Sequence, residues 1–99
     1  MVKKKRLSRE MLKVVIKTEQ LSDHEVKVVL DTESDIGVKK TYTFIESFNG
    51  NLTQNVCEWL AWQVFERESS KIEKDFEQEG IKVNSYFVIS RTVPEVKDE

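Results

Sequence analysis

The hydrophobic pattern of this chain changes period twice, and those two changes dictate its architecture. Residues 10–18 alternate, with Leu12, Val14 and Ile16 on one side and Lys13, Val15 and Lys17 on the other. Residues 25–32 set Val26, Val28 and Leu30 against Lys27, Val29 and Asp31. Residues 38–48 set Tyr42, Phe44 and Phe48 against Thr41, Thr43 and Ile45. A period of two belongs to a half-buried strand, and β-branched and aromatic side chains suit it. From Asn51 the apolar residues recur every three or four positions, and this continues to Glu79. A strand pattern then returns over 81–93, and Pro94, which cannot donate to a ladder, ends it.

The implied order is βββαβ. Gln20-Leu21-Ser22-Asp23-His24 and Glu33-Ser34-Asp35-Ile36-Gly37 are turn-like, and such short connections favour an antiparallel meander. Asn51 is the expected N-cap of the helix, with Gln54 three residues on, and Gly80 is the expected C′ residue. The 28 residues from 52 to 79 make a helix of about 42 Å, and a third strand of 11 residues spans about 36 Å. One helix can therefore cover the sheet along its length. The predicted fold class is α+β: a single small domain with a four-stranded sheet and one long helix packed on one face. A right-handed crossover makes the last strand parallel to the third; it can pair beside the third or beside the first. Within it, Ile81, Val83, Phe87 and Ile89 are assigned to one face, and Tyr86 and Val88 to the other.

A length of 99 residues suits one domain, and 38 % hydrophobic residues is too many for a disordered chain and too few for a membrane protein. The net charge of −2 hides a division. Residues 1–18 hold seven Lys or Arg and one acid, so they carry +6; residues 19–99 hold nine bases and 17 acids, so they carry −8. The expected organisation is a basic flexible arm (1–9), one α+β domain (10–93) and an acidic flexible tail (94–99). No signal-peptide run follows the charged N-terminus and no stretch approaches a membrane span, so the expectation is a soluble cytoplasmic protein with no membrane partner.

Enzyme chemistry finds little support in these residues. Cys57 is the single cysteine and His24 the single histidine, which is too few for a disulfide framework or a His/Cys metal cluster. They fall on different elements with no third group to orient a base, so Cys57 reads as a small buried hydrophobe and His24 as an exposed turn residue. Glycines at 37, 50 and 80 are dispersed at turns and form no phosphate loop. Asp31, Glu33 and Asp35 read as a solvent-facing acidic turn, and Asn51-Leu52-Thr53 reads as a helix cap rather than a glycosylation site. The expectation is a non-enzyme with no catalytic residue, cofactor or metal.

The helix is the informative element. Leu52, Val56, Leu60 and Val64 form one seam, and Cys57, Ala61, Phe65, Ile72 and Phe76 the adjacent one. Trp59 and Trp62 fall outside that arc, with Asn55 and Glu66 as neighbours, so the first half of the helix is apolar nearly all round. Paired aromatics outside a core mark an interface, either with a protein partner or in a homodimer. Six acids between 66 and 79, among them Glu73 and Glu77, would add charge complementarity toward a basic partner. The leading expectation is thus a protein-binding module of adaptor or inhibitor type, using Trp59, Trp62, Asn55, Glu66, Glu73 and Glu77. The alternative is nucleic-acid binding through Lys3, Lys4, Lys5, Arg6 and Arg9, with Tyr42 and Tyr86 as stacking platforms on the sheet. Short, Lys/Glu-rich, glycine-poor chains of this style resemble small accessory proteins of phages and plasmids, a likeness that carries no motif.

Overall fold

The computed structural model describes residues 8–92. Its elements are β1 (Ser8–Gln20), β2 (Glu25–Glu33), β3 (Lys39–Ser47), α1 (Gln54–Glu77) and β4 (Ile81–Thr92). The order βββαβ and the α+β class are as predicted. The residues expected as an acidic tail, 94–99, lie outside the described residues, as do Lys3, Lys4, Lys5 and Arg6 of the arm. Arg9 lies inside β1, at the register position of Lys82.

The sheet runs β3-β2-β1-β4. β1, β2 and β3 form the antiparallel meander, and β4 pairs parallel with β1. The chain therefore leaves one edge at β3, crosses the sheet as α1, and closes the other edge at β4. Leu12, Val14 and Ile16 of β1 and Val26, Val28 and Leu30 of β2 are wholly buried beneath the helix, where they meet Leu60, Ala61, Val64, Phe65, Ile72 and Phe76. The same parity places Tyr42 and Phe44 of β3 against this core.

β4 departs from the predicted faces. Glu10 pairs with Val83 and Met11 with Ser85, so Asn84 is an extra residue and the alternation slips there. Such a bulge shifts the phase of everything beyond it. Ile81 and Val83 face the helix as expected, but so do Tyr86 and Val88, whereas Phe87 and Ile89 turn to the other side. The assignment of Phe87 and Ile89 to the face of Ile81 and Val83 is thus corrected.

The ends of the helix also differ from expectation. The N-cap is Thr53, not Asn51: its Oγ1 accepts from Val56 N–H at 3.2 Å, and Cys57 N–H donates to Thr53 O at 2.9 Å. The C-cap is Gln78, so Gly80 stands two residues past it, where a φ of +82° demands glycine. Gly50 matters for a different reason. A Cβ there would stand 2.9 Å from the Phe48 ring, so any larger residue would push that ring aside.

Candidate functional site

The sequence points to six residues on the helix: Asn55, Trp59, Trp62, Glu66, Glu73 and Glu77. At 100° per residue they fall within about 60° of arc, so they form one stripe along α1. The structure leaves Asn55, Trp59, Trp62, Glu66 and Glu77 exposed and Glu73 half-buried. Trp59 is 53 % exposed and Trp62 40 %. Each indole is nevertheless held. Trp59 packs edge-on against Phe48, with ring centroids 6.3 Å apart. Trp62 meets Phe65 at 5.9 Å, and Phe65 meets Tyr86 at 5.1 Å, both edge-on. The two tryptophans straddle the top of the helix, one leaning toward the end of β3 and the other toward β4. Their exposed faces thus have a fixed orientation.

The C-terminal half of the stripe is a different environment. Tyr42 of β3 donates its hydroxyl to Asp75 at 2.8 Å, and Tyr86 of β4 donates to Glu73. Burial and the neighbouring carboxylate together push both phenols well above their ordinary value. One tyrosine from each edge strand therefore holds one flank of the helix. On the β3 side Arg67 adds a two-pronged bond to Glu46 (3.1 and 3.4 Å), pairs with Glu68 at 3.0 Å and covers the Phe44 ring. Lys40 pairs with Glu79 at 3.3 Å above Phe76. Four of the six acids between 66 and 79 are engaged within the domain in this way. Glu66 and Glu77 are the two with outward carboxylates and no partner among the described residues. Tyr42 and Tyr86, offered as stacking platforms, lie instead on the helix side of the sheet with their hydroxyls occupied.

The residues considered for catalysis lie apart. Cys57 is buried on the sheet-facing side of α1, where desolvation first and Glu58 second raise its thiol, the opposite of what activates a nucleophile. His24 sits in the β1–β2 turn, its Nδ1 3.1 Å from Phe48 O, a bond in which the ring nitrogen donates. Asp31 is engaged by Lys17 (2.9 Å) and Thr41 (2.9 Å), which hold its carboxyl below the usual range. With Glu33 it lines a shallow hollow of about 220 Å³ on the face of the sheet away from the helix, between Lys13 and Lys39. Among the described residues no group of three His, Cys, Asp or Glu side chains is placed to hold a metal, and no helix is long and apolar enough to cross a membrane.

No family model matches the chain, and no curated protein or solved structure is significantly similar to it.

One surface was not foreseen from the sequence. Beyond the bulge, Phe87 stands 51 % exposed on the open face of the sheet, with Met11 at 45 % beside it. The signal was present in the polar pair Asn84-Ser85, which interrupts the alternation between Val83 and Tyr86.

Proposed function

We propose that this chain is a non-enzymatic protein-binding module of adaptor or inhibitor type. Its contact surface is the exposed stripe of α1 around Trp59 and Trp62, presented to a protein partner or to a second copy of itself. The observation that carries this reading is two adjacent, oriented and half-open indoles on a helix whose opposite side already covers a complete core. A Trp offers about 150–250 Å² to a contact. Covering the open halves of both removes on the order of 200 Å² from water, about 5 kcal/mol at 25 cal/mol per Å², before the costs of association. Asn55 and Glu66 border the indoles and supply a polar rim. Glu73 and Asp75 act within the domain, which leaves Glu66 and Glu77 to meet a basic partner.

The test is the double variant Trp59→Ala/Trp62→Ala, followed by light-scattering mass, partner capture and denaturant unfolding. The expected result is loss of self-association or capture, with folding stability reduced by no more than about 1–2 kcal/mol. Unchanged mass and capture together with a loss of several kcal/mol would make the tryptophans part of the core and end this reading.

A further inference from the structure

The open face of the sheet divides into two halves. Cross-strand register sets its rows as Phe87–Lys13–Glu33–Lys39, Ile89–Val15–Asp31–Thr41 and Arg91–Lys17–Val29–Thr43. On the β2–β3 half acids and bases are mixed, with Glu25, Asp31 and Glu33 among Lys27 and Lys39; Asp31 is held by Lys17 at 2.9 Å and Lys27 is paired to Glu19 at 3.4 Å. On the β1–β4 half an apolar cluster of Met11, Val15, Phe87 and Ile89 has Lys13 in its midst, opposite Phe87, and Lys82 and Arg91 toward its two ends. These three cations are exposed and have no ion-pair partner among the described residues. β4 has no acidic residue in its 12 positions, in a chain that carries 18 acids. The acids of α1 lie on the opposite layer.

We propose that this half-face binds single-stranded nucleic acid, with a base stacked on Phe87 and the flanking phosphates against Lys13, Lys82 and Arg91. Charge complementarity selects a polyanion, and the aromatic ring among the cations selects one that has flat rings between its charges. Lys13 stands opposite Phe87 in the parallel pair, and Arg91 lies four residues along β4, about 13 Å away. An aromatic platform with cations tracking the backbone is a sequence-tolerant way to hold a single strand. The bulge at Asn84 makes the site, because without the slip Phe87 would point into the helix layer. This surface is independent of the tryptophan stripe, which lies on the other side of the molecule.

The experiment is fluorescence anisotropy of a labelled oligothymidylate of about 12 nucleotides, a length within the site size of small single-strand binders. It uses the full chain, titrated at several salt concentrations. Phe87→Ala should weaken binding about 5- to 100-fold, and Phe87→Leu, which keeps the apolar contact but loses the ring, should behave alike. Lys13→Gln and Arg91→Gln should each flatten the dependence of log affinity on log salt by about 0.7. Tryptophan emission should stay unchanged at saturation, since both indoles are remote from this face. Circular dichroism verifies the fold of each variant. The proposal is overturned by no binding at about 50 mM salt, by unaltered affinity in both Phe87 variants, or by equal affinity for a duplex of the same length. It is also overturned by quenching of the tryptophans, which would place the strand on the helix, and by binding that vanishes on removal of residues 1–7 while ignoring Phe87.

Discussion

Tyr42 and Tyr86 are the two tyrosines of the chain, and each gives its hydroxyl to a helix carboxylate. A spectrophotometric titration therefore has no ordinary phenol to report, and both should ionise above the usual value of about 10. The sign follows from linkage. Below pH 10 folded and unfolded chains are both protonated at these sites, so the stabilisation is fully present. Above it the unfolded chain loses protons that the folded chain keeps, so stability should fall as pH rises past about 10, read by denaturant midpoint. Tyr42→Phe and Tyr86→Phe should each cost about 1–2 kcal/mol and remove part of that alkaline slope. The outward position of Trp59 and Trp62 was legible from helical projection alone. The tyrosine–carboxylate pairs were not, because 33 and 13 residues separate the partners and only the folded sheet brings them together.

The elements themselves were readable because their periods differ, yet their ends turned on competition between equivalent signals. Asn51 and Thr53 are both sound N-caps. Thr53 is chosen because its side chain reaches Val56 N–H while Thr53 N–H donates to Asn51 O at 3.1 Å. Thr53→Ala should cost about 1 kcal/mol in thermal or denaturant unfolding and Asn51→Ala only a few tenths, the reverse of what the sequence suggests. Simple alternation misplaces the second half of β4 because one inserted residue, Asn84, inverts the faces of everything after it. The place of β4 beside β1 could not be read at all, since its alternation would satisfy either edge of the meander.

At the scale of the molecule, one core lies between two layers, and Phe76 is its largest wholly buried side chain. Phe76→Ala should cost about 3–5 kcal/mol. That is a large share of the net stability of so small a domain, so the thermal midpoint of the variant should fall sharply by circular dichroism. The strand order has a consequence for biosynthesis. Of the four described strands β1 leaves the ribosome before the others, yet it is completed only by β4, so one of its edges stays bare for as long as the meander and helix are emerging. An unpaired edge invites pairing with other chains. Slow translation or truncation before residue 81 would therefore leave a nascent chain that aggregates rather than waits.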